Sequence, residues 1–316
     1  MPRSIPDAPS RRAIGFVRAA ALTLLLAGCA GAKWTEPLPE EAAEIRMTQA
    51  TAAAFSNPEP VNIVGYGQDA MEPFLTRDGT TLFFNSSNAP GADTNLFWAS
   101  RIDDVTFRFR GEIAGANSAA LDAVASMDLA GNFYFISTRS YDATLSTIYC
   151  GRYSNGSLSA VAIAPGVSPL RRGLVDFDSE ISADGNTLYF SEGLFTGGSI
   201  PRSSRLMIAH RDGDRFVRAA DSDRILAEVN GAGRLNYAAA LSPDELEIFF
   251  TRLGAGEPEI LMARRASRHQ PFGAPARIAA ITGFVEAPAT SPDGRSLYFH
   301  KRNDNGVYSI YRSARP

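Results

Sequence analysis

An all-β fold built from repeated antiparallel strands is what this sequence predicts, and three observations carry the prediction. The first is the stretch Ala289-Thr290-Ser291-Pro292-Asp293-Gly294-Arg295-Ser296-Leu297-Tyr298-Phe299, which reads as strand, tight turn, strand. Pro292, Asp293 and Gly294 supply turn chemistry, and the aromatic run after them suits a pleated, buried surface. The second is recurrence. Thr76-Arg77-Asp78-Gly79 precedes Leu82-Phe83-Phe84, and Ser182-Ala183-Asp184-Gly185 precedes Leu188-Tyr189-Phe190. Looser copies are Asp128-Leu129-Ala130-Gly131 with Phe133-Tyr134-Phe135, and Ser242-Pro243-Asp244-Glu245 with Ile248-Phe249-Phe250. The third is the period: the closing aromatics Phe84, Phe135, Phe190, Phe250 and Phe299 stand 51, 55, 60 and 49 residues apart. Units of roughly 50 residues with several short strands each predict a five-bladed β-propeller.

Taken in order, the chain opens with a segment that is set aside before the fold is considered. Arg3, Arg11, Arg12 and Arg18 form a basic leader, and residues 19–27 are apolar but far short of the ~20 a membrane-spanning helix needs. The stretch ends at Leu26-Ala27-Gly28-Cys29, which resembles the bacterial lipobox. That resemblance implies that residues 1–28 are a lipoprotein signal peptide and that Cys29 becomes the lipidated first residue. The expected address is the bacterial cell envelope, with the membrane engaged through Cys29. Ala30 beside it resembles the pattern of lipoproteins sent to the outer membrane and facing the periplasm.

Without that segment the chain keeps 27 basic and 33 acidic side chains, which gives no reason to expect a nucleic-acid partner. With Cys29 lipidated, Cys150 is the sole free cysteine, so no intramolecular disulfide is expected. Its strand-like setting, Thr147-Ile148-Tyr149-Cys150-Gly151, predicts a small buried hydrophobe. Residues 29–57 read as a tether, with a helix-prone Ala- and Glu-rich stretch between proline-rich spacers.

Residues 58–316 hold the repeats. After each closing aromatic comes a second alternating strand, as in Leu96-Phe97-Trp98-Ala99-Ser100 and Leu206-Met207-Ile208-Ala209. A third strand is expected at 107–113, 158–164, 216–220 and 272–278, but the last repeat ends before one. Residues 55–64 parallel residues 272–281, so an N-terminal strand at about 61–64 is expected to pair with Ser309-Ile310-Tyr311. Such pairing closes the ring and removes an exposed sheet edge. The Ser-Pro-Asp-Gly turn, the Leu-Tyr-Phe strand and the Ile-Tyr strand resemble the propeller repeats of TolB, a periplasmic protein family. The resemblance spans about residues 60–315 and implies fold and compartment. TolB's separate α/β domain has no counterpart here, so its partners are not implied.

The chain carries no nucleophile elbow, phosphate-binding loop, zinc spacing or dinucleotide fingerprint, so no cofactor and no metal are expected. His210, His269 and His300 are scattered and read as packed or solvated. One acidic pattern stands out. Glu72, Asp122, Asp178 and Glu286 each precede their repeat's turn aspartate by six or seven positions, and Asn236 stands near the matching place in the fourth repeat. Asp176 and Glu180 add unrepeated acids to the third. In a propeller these side chains would ring the channel mouth. A scaffold role predicts repeated carboxylates that satisfy repeated donors between blades. The sequence favours a lipid-anchored binding or scaffold module for an envelope protein, peptide or glycan. The alternative is a glycoside hydrolase working with channel carboxylates, which would show as asymmetry among the blades.

Overall fold

The computed structural model describes residues 55–231 and 233–316. The expected signal peptide, Cys29 and the tether up to residue 54 lie outside the described residues. The described chain begins with two short strands, β1 (Glu59–Pro60) and β2 (Asn62–Val64). Antiparallel meanders follow: β3 (Met71–Leu75), β4 (Thr81–Asn85), β5 (Leu96–Arg101) and β6 (Thr106–Glu112), then β7 (Asp122–Met127), β8 (Asn132–Ser137), β9 (Ile148–Ser154) and β10 (Ser157–Ile163). The third is β11 (Leu174–Ile181), β12 (Thr187–Leu194), β13 (Ser203–Asp212) and β14 (Arg215–Arg218). The fourth is β15 (Leu235–Leu241), β16 (Glu247–Leu253), β17 (Glu259–Arg264) and β18 (Ala276–Arg277), and the last is β19 (Val285–Thr290), β20 (Ser296–Arg302) and β21 (Tyr308–Ala314). A single parallel bridge, Ser204 with Leu235, joins the third and fourth into one sheet.

The turn between the first two strands of a meander is a local chemical device. The Ser182, Ser242 and Ser291 hydroxyls each donate to the carboxylate two residues on, Asp184, Asp244 and Asp293, and Thr76 does so to Asp78. Those serine bonds, then backbone N–H bonds, hold Asp184, Asp244 and Asp293 below the usual carboxylate range. Gly79, Gly185 and Gly294 take φ of 70°, 74° and 68°, a region that costs glycine nothing. The fourth turn puts Glu245 there instead, at 61°.

The core lies between meanders, and its larger clusters each mix residues of two consecutive ones. Phe74 and Phe83 pack with Phe133 and Phe135, while Tyr134 and Ile148 pack with Phe190 and Phe216. Leu206 and Ile208 meet Phe250 and Leu261, Phe249 meets Phe299, and Leu82 and Phe84 meet Tyr298 and Ile310. The last of these joins the end of the chain to its beginning. All five closing aromatics are 1% exposed or less, and burying each contributes on the order of 2 kcal/mol. The first strands form a cycle: β3 packs beside β7, β7 beside β11, β11 beside β15, β15 beside β19, and β19 beside β3. A channel runs along their common axis.

Closure differs in register from the expectation. Glu59 and Pro60 pair with Arg312 and Tyr311 of β21, and the Val61 N–H donates to the Ile310 carbonyl. Residues 62–64 then pair in parallel with β6, not with β21. The segment thereby covers the free edges of both the first and last meanders, which an unshared edge strand could not do. Phe55, within the expected tether, is 5% exposed and meets Phe249 edge to face at 5.9 Å. The expected strand at 272–278 shortens to Ala276–Arg277, because Pro271 and Pro275 have no N–H to give a ladder.

Candidate functional site

Each first strand carries a β-bulge that puts one residue in the left-handed region. These residues are Glu72, Val124, Asp178, Ala238 and Ala287, with φ between 50° and 54°. A non-glycine residue held there costs about 1 kcal/mol or more. Because it recurs around the ring, the strain belongs to the architecture. Side chains that follow the closing aromatics offset it. Asn85, Ser191 and Thr251 accept the N–H of Val124, Ala238 and Ala287 at 3.1, 3.2 and 2.9 Å. His300 Nδ1 accepts the N–H of Glu72 at 3.0 Å, closing the series between the last meander and the first. Ile136 holds that place in the second meander and instead walls the cavity beside Asp178.

Counted from the bulges, the acidic pattern separates into different registers. Glu72 and Asp178 are bulge residues, Glu286 is one residue before its bulge, and Asp122, Asp176 and Asn236 are two before. The six-residue spacing placed Asp122 with Glu72 and Asp178 because it counted the second repeat from Asp128. In the structure Asp128 takes the place of the serine: its Oδ1 accepts the N–H of Ala130 and of Asn132, and its carbonyl accepts the N–H of Gly131. Asp122 therefore aligns with Asp176, and Val124 stands where Glu72 and Asp178 stand.

The register two before the bulge is a set of arginine pairs. Arg139 donates to Asp122 at 2.6 Å, Arg218 donates to both oxygens of Asp176 at 2.9 and 3.0 Å, and Arg252 donates to Asn236 at 2.8 Å. Asp122 also accepts the Ser118 hydroxyl at 2.8 Å. Burial pushes Asp176 up to about 7, against the pull of Arg218 and with a further push from Glu192. Glu180 is paired too, with Arg77 at 2.7 Å.

Glu72, Asp178 and Glu286 meet without an arginine. Together they line a cavity of about 100 Å³ at the end of the channel where the first strands begin. Asp178 Oδ2 accepts the Ala238 N–H at 3.1 Å. Its carboxyl is pushed up to about 7 by burial and by Glu286, against the Ala238 and Ser191 bonds. Glu72 is driven well above the carboxylate range, first by burial and then by Asp178 and Glu286. Its Oε1 accepts from Asn88 at 2.8 Å, and its Oε2 is buried with no hydrogen-bond partner. Glu286 is better supplied. The Tyr237 hydroxyl donates to its Oε1, and His300 Nε2 lies 3.1 Å from its Oε2. Since His300 Nδ1 already accepts the Glu72 N–H, the ring proton sits on Nε2 and the histidine donates to Glu286. Burial, then Glu286, pushes the Tyr237 hydroxyl well above its ordinary range, so it stays a donor.

One apolar wall faces these groups. Phe177 meets Phe195 edge to face at 5.8 Å, and the loop between β12 and β13 brings Ser199 and Pro201 to the rim. Among the described residues, no group of three or more His, Cys, Asp or Glu side chains is arranged to hold a metal ion. Single-sequence reading missed Tyr237, His300, Asn88 and Phe177. A signal for His300 existed: it follows Phe299 as Asn85, Ser191 and Thr251 follow their own closing aromatics. The arrangement can do acid and base chemistry, because it holds a proton on one carboxyl beside another supplied with donors.

No protein-family model matches this chain, and neither does any curated protein. Solved structures do. The chain is similar to a glycoside hydrolase with a TM-score of 0.61 at 9% identity, over 89% of this chain and 96% of that one. It is similar to Zg3597, a family 117 glycoside hydrolase from Zobellia galactanivorans, with a TM-score of 0.54 at 12% identity, over 83% and 91%. TolB from Acinetobacter baumannii also matches, at a TM-score of 0.45 and 16% identity, over 79% of this chain and 54% of that one. At these identities likeness speaks to the fold, so the expectation drawn from the TolB-like repeats narrows to an all-β propeller.

Proposed function

We propose that this protein is a five-bladed β-propeller, closed by β1 on β21, whose channel carboxylates cleave a glycosidic bond. The observation that carries this reading is Glu72. A carboxyl kept protonated, with a buried oxygen that no protein group engages, is an O–H donor reserved for whatever enters the cavity. Glu72 is then the general acid that protonates the departing glycosidic oxygen as the C–O bond breaks. Glu286, steadied by Tyr237 and His300, is the carboxylate that serves the attacking side, and Asp178 keeps the Glu72 proton in place by like charge. Support for the glycan as ligand comes from fold neighbours that are glycoside hydrolases, at identities that speak to the fold alone. The asymmetry of the bulge positions, Glu, Val, Asp, Ala and Ala around the ring, favours an enzyme over a repeated scaffold. Attachment through Cys29 in the envelope belongs to the same proposal and is read by mass spectrometry of the mature N-terminus.

The test is release of reducing sugar from a panel of purified polysaccharides. Glu72→Gln should lower the rate at least 1000-fold with an unchanged melting curve, and wild-type activity should fall as pH rises and Glu72 loses its proton. Full activity in Glu72→Gln overturns the proposal. Glycan binding with no cleavage by the wild type returns the function to a binding module.

A further inference from the structure

We infer that the channel is a blind pocket with one mouth, sealed at its far end by Arg77, so that the ligand enters by the end of its chain. The identity of that ligand as a glycan rests on the function proposed above, whereas the seal does not. Arg77 lies in the turn after β3, and its guanidinium donates to Glu180 Oε1 and to the Ile181 carbonyl, both at 2.7 Å. Glu180 and Ile181 end β11. In the cycle of first strands β3 packs beside β7 and β19, not β11, so the arginine reaches across the axis. Its side chain is 14% exposed, that of Glu180 is 7% exposed, and the guanidinium lies 5.1 Å from the Phe74 ring centre.

Between this seal and the carboxylates the channel narrows to a throat of about 30 Å³ lined by Pro73, Ala125, Ala239 and Pro288. That volume passes a water or two, each needing roughly 10–15 Å³, and not a sugar ring. The throat is polar at one point. Ser179 is 5% exposed, lines it, and has a hydroxyl with no hydrogen-bond partner. A polymer therefore cannot thread the channel. Its end unit can enter beside Phe177 and meet Glu72, with the rest of the chain leaving past Ser199 and Pro201. Cleavage in such a pocket removes terminal units.

The seal is tested with Ser179→Cys, followed by methyl methanethiosulfonate labelling and peptide mass mapping at residue 179. In that background Arg77→Ala should raise the labelling rate at least tenfold by opening a second entrance. Equal rates overturn the seal. Should Arg77→Ala fail to fold, Arg77→Met keeps the stem over Phe74 without the bond to Glu180 and carries the same comparison. Terminal use is tested on oligosaccharides labelled at the reducing end. Stepwise loss of single units, with monosaccharide from the first time point, supports it, and mid-length products from the start overturn it. If no glycan is cut, the proposed function fails and the thiol rates still decide the seal.

Discussion

Asp176 and Asp178 stand two residues apart on β11, both nearly buried and both pushed up to about 7. They are built for different work. Both oxygens of Asp176 accept from Nη2 of Arg218, and the pair ties the first strand of its meander to the last. Asp178 meets no cation, only a backbone N–H, a serine hydroxyl and two other carboxyls. Burial alone therefore does not mark a functional acid. The partner does: a buried carboxylate facing arginine is part of the frame, and one facing other carboxylates beside a cavity tunes how its neighbours hold their protons.

The sharpest way to break this contrast is to remove a framework acid. Asp122→Ala leaves Arg139 without its carboxylate and Ser118 without its acceptor, and should cost about 3 kcal/mol by denaturant unfolding. Glu72→Gln, which keeps an acceptor for Asn88, should cost less than about 1 kcal/mol. Similar losses in the two variants would erase the distinction.

A second test uses pH. A carboxyl whose folded pKa lies near 7 and whose unfolded pKa lies near 4 binds more protons folded than unfolded between those values. Stability contributed by Asp178 is thus full at low pH, falls as pH rises from about 4 to about 7, and levels off above. Each such proton gives a slope of up to about 1.4 kcal/mol per pH unit. Asp178→Asn should flatten the slope and raise stability at pH 8 by about 1–2 kcal/mol, because it removes a buried like charge. Asp176→Asn should flatten the slope as well, because burial also pushes Asp176 up to about 7, but should gain less at pH 8, because Arg218 loses a charge partner. Melting curves from pH 4 to pH 8 decide it, and an equal or larger gain at pH 8 in Asp176→Asn would sink the idea.

Smaller effects are expected around Glu286. His300→Ala removes both the acceptor for the Glu72 N–H and a donor to Glu286, and should cost about 1–2 kcal/mol in unfolding experiments. Tyr237→Phe removes one donor from Glu286 and should change stability by less than about 1 kcal/mol. On the proposed function, Tyr237→Phe should still lower the cleavage rate several-fold, since Glu286 loses a hydrogen bond that orients it in the cavity. An unchanged rate would detach Tyr237 from the chemistry.

The frame was largely legible in the chain. Turn residues, aromatic triplets and their period announce themselves locally, because a Ser-x-Asp-Gly turn makes its hydrogen bonds within a few residues. The acids were legible as acids, but their grouping was not. Glu72, Asp178 and Glu286 separate from Asp122, Asp176 and Asn236 only once bulges add a residue to each first strand and Asp128 takes a serine's place in the second turn. The closing strand was legible to within a few residues. Its switch from β21 to β6 was not, because nothing local says which of two free edges a three-residue strand will cover.

By itself the sequence determined that this is an all-β chain of repeated units, since strand and turn propensities act over a few residues and repeat with the chain. Only the tertiary structure decided which acids share a cavity, that His300 serves both Glu72 and Glu286, and that Arg77 reaches Glu180. Those contacts join residues 228, 14 and 103 positions apart. Their existence depends on how the ring of strands brings distant repeats onto one axis, and local propensity carries no record of that distance.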